Sequence, residues 1–217
     1  ELKIPEVAMP FEGSYTQESF AQQMIDEYVA AGIAPGRVWP QSFSYADVLY
    51  WIHNTPAFGD QAVMLDSREV AGSNDAQAVA MLDPSMAQFA RDGLHFLAPA
   101  IPMLLAVDKS GAIIPSAYAR SARTAGLNLI GWTTERSGEL NNGGGGYYYS
   151  TVQDAIEDDG DILTVIDVLA QEVGVVGLFS DWPATTTFYG NCRPIAKPAV
   201  VPTLPSKQAA AGRVWED

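Results

Sequence analysis

Short apolar runs alternate with amphipathic segments along most of the chain. Residues 175–179 form an apolar, β-branched run between a glycine and Asp181, which is typical of a strand buried on both faces. Similar runs predict strands at 37–43, 61–65 and 127–133. Apolar residues that recur every three or four positions predict helices at 17–31, 46–53, 85–96, 116–125 and 162–172. We interpret 67–84 as a loop-and-helix insertion and 99–115, with its prolines, as less regular. The alternation predicts a parallel α/β sheet or barrel.

Polar and aromatic side chains follow several of the predicted strands, at the end where barrel enzymes build their active sites. Glu1 and Lys3 share one face of a short first strand, so they can bind a hard cation and a phosphate oxygen, or form an ordinary surface ion pair. Gln41 and Phe43 share a face of the next strand, and Trp132 lies near the end of the strand at 127–133. Ser180 and Asp181 follow the last strand, where they either line a site or cap the next segment.

Five stretches of the chain, taken in order, resemble the glycerophosphodiester phosphodiesterases, especially their periplasmic and plant-like branch. They are ELK at 1–3, RVWPQSF at 37–43, QAVMLD at 61–66, LIGWTTERSG at 129–138 and FSDWPATTTFYGNC at 179–192. The resemblance implies a TIM (β/α)₈ barrel of the phosphatidylinositol-phospholipase-C-like type. It also implies metal-dependent hydrolysis of glycerophosphodiesters to an alcohol and glycerol 3-phosphate.

The resemblance also implies roles for particular residues. Glu1 matches a ligand of the divalent metal, Ca²⁺ or Mg²⁺, and Lys3 matches a catalytic residue beside the phosphate. Gln41 and Phe43 match the pocket lining, with Phe43 against the glycerol carbons. Trp132 matches an apolar wall for the substrate, to which we expect Trp182 to contribute. We expect Arg136 to help hold an anion, while core packing is the alternative for Phe43.

The catalytic histidines and a Glu-x-Asp metal pair of the family precede the point that matches Glu1, and they are absent here. Residues 1–193 therefore resemble the C-terminal portion of a (β/α)₈ barrel that lacks its first strands, and a Pro- and Ala-rich extended tail follows at 194–217. We expect the missing N-terminal half as a partner, because a partial barrel leaves open edges. We expect this chain alone to be inactive. The alternative is a non-catalytic barrel fragment or binding module that has lost the catalytic half.

Composition narrows the classes of partner. The 217 residues carry 12 basic and 26 acidic side chains, a net charge of −14 that argues against nucleic-acid binding and repels anionic lipid. The longest apolar runs are too short for a membrane span, and the single Cys192 excludes an intrachain disulfide. The resembled branch is exported, so we expect a periplasmic or secreted protein, with the signal peptide upstream of this chain.

Several other features favour ordinary structural roles. His53 and His95 are predicted within helices, without a second metal-type ligand nearby. The glycines at 143–146 are not followed by the Lys-Ser or Lys-Thr of a P-loop, so we predict a flexible loop anchored by the tyrosines at 147–149. The acidic run at 157–161 lacks the ligand spacing of a calcium loop. An unrelated barrel enzyme such as a glycosidase would need two carboxylates, and only Asp66 and Asp181 could join Glu1.

Overall fold

A parallel sheet forms the centre of the computed structural model, which describes residues 1–69, 73–134 and 137–194. Within these ranges the sheet strands follow each other in chain order, and every neighbouring pair is parallel. They are β1 (Gln41–Ser42), β2 (Val63–Asp66), β3 (Phe96–Pro99), β6 (Asn128–Gly131) and β7 (Gly177–Leu178), while a separate antiparallel hairpin pairs β4 (Leu105–Val107) with β5 (Ile113–Pro115). Leu2 pairs with Ser42, so the first residues extend the sheet beside β1.

Helices connect successive strands. The α-helices are α1 (Gln17–Ala30), α2 (Tyr45–Asn54), α3 (Pro56–Gly59), α4 (Ala76–Ala80), α5 (Met86–Arg91), α6 (Ile101–Leu104), α7 (Ala117–Thr124), α8 (Asp161–Asp167) and α9 (Pro183–Cys192). A π-helical segment continues α8 over Val168–Val173, and 3₁₀ turns cover Pro35–Arg37, Leu140–Asn142, Gly146–Tyr149 and Gln153–Ala155. The predicted helices at 17–31, 46–53, 116–125 and 162–172 are confirmed, as are shorter forms of the predicted strands.

Hydroxyl side chains begin four of these helices. Thr16, Ser44, Ser85 and Ser116 each accept a hydrogen bond from the backbone N–H three residues further on, at the first turns of α1, α2, α5 and α7 respectively. A helix leaves its first N–H groups without intrahelical partners, and these side chains satisfy one of them. Local sequence therefore determines where these helices begin.

The two faces of the sheet have different surroundings. Along β2, Met64 belongs to the main core between sheet and helices, which also contains Trp51 and Phe89, while Val63 and Leu65 point to the opposite face. Successive side chains of a strand point to opposite faces of the sheet, so even-numbered and odd-numbered residues of β2 lie on different faces. The opposite face carries a smaller cluster, in which Val63, Leu65 and Ala98 are buried. Partly buried side chains, most of them aromatic, pack against these three: Phe43, Phe96, Ile130 and Trp132.

The helix predicted at 85–96 is wrong in its second half. The α5 helix ends at Arg91, and the chain reverses through Gly93, whose φ of +89° is a conformation that favours glycine. β3 then begins at Phe96. His95 consequently lies in the connection just before a strand, and its prediction as a helical residue is corrected.

The stretch predicted as less regular, residues 99–115, contains α6 and the β4–β5 hairpin. Asp108 organises the hairpin turn by accepting hydrogen bonds through Oδ1 from the Ser110 hydroxyl and the backbone N–H groups of Ser110 and Ala112. These bonds, led by that of the Ser110 hydroxyl, hold the pKa of Asp108 below its ordinary value. Strands of three residues are too short for alternation to reveal them in the sequence.

The strand order is compatible with the predicted barrel and does not test it. Parallel strands in chain order, with no reversal within the described ranges, are what successive βα units of a barrel produce. The (β/α)₈ barrel and its missing first strands stay predictions.

The predicted tail begins at Pro194, whose carbonyl accepts a hydrogen bond from Gln171 Nε2 at 3.1 Å. The rest of the tail lies outside the described residues, as does Arg136. In the described part of the chain, no helix has both the length and the apolar character needed to cross a bilayer.

Candidate functional site

Lys3 follows Leu2, which pairs with β1, while Phe43 follows β1 and Trp132 follows β6. All three lie on one face of the sheet, at the carboxyl ends of the strands. Leu2 and Ser42 pair across the sheet, and both are buried toward the helices. Because side chains alternate, the next residues, Lys3 and Phe43, lie on the opposite face. Trp132 belongs with Phe43 to the cluster on that face. Residues far apart in the sequence are thereby brought to one rim of the sheet.

Aromatic rings form a connected wall along this rim. Phe43 and Trp132 meet edge to face with centroids 6.1 Å apart, and Trp132 meets Tyr148 in the same way at 6.2 Å. Tyr147 extends the row at 5.5 Å from Tyr148. The indole Nε1 of Trp132 donates to the carbonyl of Ala98 at 2.7 Å, which fixes the ring orientation. The wall offers an apolar surface for the carbon skeleton of a small alcohol.

Glu1 and Lys3 form an ion pair on the same face. Lys3 Nζ lies 2.8 Å from Glu1 Oε1, and the Lys3 side chain is 76% exposed. Such a flexible, exposed ammonium is free to turn from this carboxylate toward a phosphate oxygen. Gln41, half-buried, lies on this face two residues before Phe43. Glu1, Lys3 and Phe43 line a common groove. With Gln41 and Trp132, five of the residues predicted from sequence share one face.

The metal centre predicted at Glu1 needs further ligands. Among the residues that the structure describes, no group of three or more His, Cys, Asp or Glu side chains is arranged to hold a metal ion. Glu1 alone supplies one carboxylate, and hard cations such as Ca²⁺ take six or more oxygen ligands, several of them from protein. The described residues by themselves therefore do not fit a complete Ca²⁺ or Mg²⁺ site.

Asp66, considered as a second catalytic carboxylate, points away from this rim. It is 1% exposed and accepts from Arg68 through both oxygens, at 2.8 Å from Nε and 2.6 Å from Nη2. The hydroxyl of Tyr118, itself fully buried, donates to Asp66 Oδ2 at 2.5 Å. Arg68 also stacks over the Phe89 ring. Burial, with the charge of Asp66 and the bond to it, raises the pKa of Tyr118 well above its ordinary value. This carboxylate therefore has a structural role.

Neither histidine lies at the rim. His53 is exposed near the end of α2, and His95 precedes β3 with Nδ1 3.2 Å from the carbonyl of Asp60. Helices in βα units return the chain to the amino end of the next strand, so both imidazoles lie at the opposite end of the sheet. The prediction that both histidines have ordinary structural roles stays a prediction.

Trp182, expected to share a wall with Trp132, lines another cavity. It is 68% exposed at the start of α9 and borders a space of about 320 Å³ with Thr134, Gly138, Ile162 and Thr185. Its predicted contribution to the substrate wall stays a prediction. Asp181, beside it, is exposed.

The tyrosines after the glycine run were predicted to anchor a loop, and two of them make different contacts. Tyr149 is fully buried and donates to the carbonyl of Thr134 at 3.0 Å, as an anchor should. Its neighbour Tyr148 instead contacts Trp132, a contact that sequence reasoning missed. The exposed apolar residues Ile4 and Val7 beside Lys3 were also missed. The sequence signal for Ile4 and Val7 is that apolar residues occur in this segment without the spacing of a strand or a helix.

Comparison with known proteins found a similar protein in Arthroderma benhamiae. No protein-family profile matches the chain. A protein of Arthroderma benhamiae described as "Extracellular protein" is 51% identical over 194 residues, which cover 88% of this chain and 78% of that protein.

Proposed function

The chain belongs to the same family as the extracellular protein of Arthroderma benhamiae, and from this premise we propose that it acts outside the cell on glycerophosphodiesters. The relative's description supports the extracellular location. A periplasmic location and an upstream signal peptide stay predictions. A secreted substrate-binding protein of this size needs only a small cleft lined by a few oriented polar groups and an apolar wall.

The proposed reaction is hydrolysis of a glycerophosphodiester. A water oxygen bonds to phosphorus, the bond from phosphorus to the alcohol oxygen breaks, and a proton passes to the leaving alcohol. The products are the alcohol and glycerol 3-phosphate. The observation that carries the proposal is the position of Lys3, Phe43 and Trp132 on one face of the sheet, at the strand ends to which the resemblance assigns them.

In this proposal the residues of the chain bind and orient the substrate. The Lys3 ammonium holds a phosphate oxygen, which offsets the repulsion of an anion by a protein with net charge −14. Phe43 and Trp132 flank the glycerol carbons, and Gln41 bonds a hydroxyl. Glu1 contributes one ligand to a Ca²⁺ or Mg²⁺ ion, and the other ligands and the acid–base groups come from a further part of the barrel.

A non-catalytic binding module is the second candidate. The positions of His53 and His95, both away from the rim, favour it, since acid–base work on a phosphodiester usually uses groups such as imidazole within reach of the reacting atoms. Both candidates require glycerophosphodiester binding at Lys3, whereas only the first requires turnover.

Two measurements test the proposal. Equilibrium dialysis of the 217-residue chain against labelled glycerophosphocholine should show saturable binding that Lys3→Ala weakens at least fivefold, while Lys109→Ala, in the exposed hairpin turn, leaves it unchanged. Native protein captured from its source with an antibody against the chain should release glycerol 3-phosphate from glycerophosphocholine when Ca²⁺ or Mg²⁺ is present. Binding without turnover selects the binding module, and the absence of both rejects the proposal.

A further inference from the structure

A cavity of about 340 Å³ lies among the segments that follow the middle strands of the sheet. The segment after β2, the α6 helix and β4 after β3, and the turn after β6 border it. Because these strands are interior to the order β1-β2-β3-β6-β7, the cavity lies away from both open edges of the sheet. Its volume is typical of small-molecule sites. The described residues that line it are Glu69, Ser73, Asn74, Pro102, Met103, Ala106, Val107, Tyr147, Ser150 and Thr151.

Glu69 supplies the one formal charge among these described lining residues. Burial, followed by the charge of Glu69, raises the pKa of Tyr147 above its ordinary value, so this carboxylate lies close to the Tyr147 hydroxyl. Tyr147 is 46% exposed, which leaves part of its ring surface open to a ligand. A carboxylate beside an aromatic ring attracts a cation, through its charge and through the electron-rich face of the ring.

Thr151 contributes a hydroxyl that lacks a hydrogen-bond partner. Its Oγ1 atom is buried and makes no hydrogen bond to any residue that the structure describes. The hydroxyl of Ser150, its neighbour on the cavity wall, is already used, since it donates to the Tyr147 carbonyl at 2.8 Å. Buried polar atoms are nearly always paired, because an unpaired one loses its bonds to water without compensation. A ligand that carries an N–H group would satisfy Thr151.

The segment after β3 makes the remaining wall mainly apolar. Met103 is 5% exposed and Ala106 is 7% exposed, and Pro102 is buried beside them. These side chains offer a hydrocarbon surface but no charge and no hydrogen-bond donor. The cavity therefore suits a ligand with a cationic head and a short apolar body.

The cavity is separate from the proposed phosphate position. Among the described residues, it shares no lining residue with the groove that contains Glu1, Lys3 and Phe43. Tyr147 ends the aromatic wall, and three successive ring contacts of 5.5, 6.2 and 6.1 Å lead from it to Phe43. A molecule in this cavity is therefore a different one from a glycerophosphodiester held at Lys3, and the inference does not rest on the proposed function.

We propose that this cavity is a second binding site, for a small primary alkylammonium ion. The ammonium group donates hydrogen bonds to the Glu69 carboxylate and to Thr151 Oγ1, and it lies beside the Tyr147 ring. The alkyl chain packs against Met103 and Ala106. A quaternary ammonium has no N–H group for Thr151, and an alcohol has no charge for Glu69, so both should bind more weakly.

Nuclear magnetic resonance of methyl-labelled methionine measures this binding directly. Met103 is one of six methionines and the one that belongs to the described lining of the cavity. The probes are n-butylammonium, n-butyltrimethylammonium and n-butanol, titrated into the 217-residue chain at low ionic strength. The first should shift the Met103 signal saturably and bind about fivefold or more tighter than the other two. The signal of Met81, which is 84% exposed and outside the lining, should stay in place.

Variants locate the two polar contacts. Glu69→Gln should weaken n-butylammonium binding about fivefold or more, because it removes the charge. Thr151→Val keeps the shape and should weaken binding about two- to tenfold without lowering Tm, since its hydroxyl has no partner to lose. Glu172→Gln is the matched control, because it removes the same charge at an exposed position outside the lining and should leave binding unchanged.

Each outcome decides the inference. The absence of a saturable Met103 shift, or equal binding of the three probes, overturns the site. Unchanged binding in both Glu69→Gln and Thr151→Val overturns it too, as does equal weakening by Glu69→Gln and Glu172→Gln, which would show attraction to the net charge of −14 alone.

Glycerophosphocholine separates this site from the proposed function. Added at a concentration that saturates its own binding in dialysis, it should leave the Met103 signal in place, and a shift would overturn the separate site. Failure of n-butylammonium to bind leaves the proposed function standing, because glycerophosphocholine binding at Lys3 is measured independently.

Discussion

Removal of one hydroxyl tests whether Asp66 is a structural carboxylate. Tyr118→Phe deletes the donor that lies 2.5 Å from Asp66 Oδ2 and leaves the bidentate Arg68 contact in place. A hydrogen bond to a charged group contributes about 1.5–3 kcal/mol to the free energy of unfolding. For a domain of this length that loss lowers Tm by about 3–12 °C. Because the aromatic ring stays, no large cavity adds to the loss.

Tyr149→Phe is the matched control. Tyr149 is as fully buried as Tyr118, but its hydroxyl donates to the neutral carbonyl of Thr134 at 3.0 Å. A neutral bond contributes about 0.5–1.5 kcal/mol, so this variant should lose about 1 kcal/mol less stability in urea unfolding. Glycerophosphocholine binding per folded molecule should stay unchanged in Tyr118→Phe. Equal stability loss in the two variants, or weaker ligand binding in Tyr118→Phe, would refute the structural role of Asp66.

Three further predictions concern pH, backbone conformation and the aromatic wall. The raised pKa of Tyr118 means that the folded state holds this proton more tightly, so its stabilisation is complete below the unfolded pKa of about 10 and is lost as pH rises above it; Tyr118→Phe should flatten the alkaline decline of Tm. Gly174→Ala should cost about 1 kcal/mol more than Gly32→Ala in urea unfolding: both have positive φ, but only a Cβ at Gly174 would displace Arg123 Nη1 and break its 2.6 Å hydrogen bond to the Val173 carbonyl. Trp132→Leu should weaken glycerophosphocholine binding about fivefold or more in equilibrium dialysis, and unchanged binding would remove Trp132 from the site.

Local sequence predicted much of the secondary structure. The helix beginning after Thr16 follows from its cap and its apolar spacing, and the strand at β2 follows from a run of apolar residues. The second half of the helix predicted over 85–96 was wrong because its apolar spacing continues beyond Gly93, where the backbone turns. The β4–β5 hairpin was missed because three-residue strands show no period. In these places tertiary contacts, rather than local preference, decide the conformation.

Some features of the candidate site were also predicted from sequence, and others were not. Alternation along the strands already predicted that Glu1 and Lys3 share a face, and that Gln41 and Phe43 do. The resemblance brought these residues together with Trp132 before any contact was known. The sequence could not show that Asp66, also at a strand end, points to the helices, because the burial of both faces hides the alternation of β2.

The sequence alone determined the order of the elements, the starts of the capped helices and the acidic character of the chain, because these depend on neighbouring residues or on composition. Only the tertiary structure decided that Tyr148 contacts Trp132 and that the Tyr118 hydroxyl donates a hydrogen bond to the buried carboxylate of Asp66. It also decided that an apolar groove adjoins Lys3. Such contacts join residues that are distant in the chain. They depend on how helices and strands pack together, and no local pattern encodes that packing.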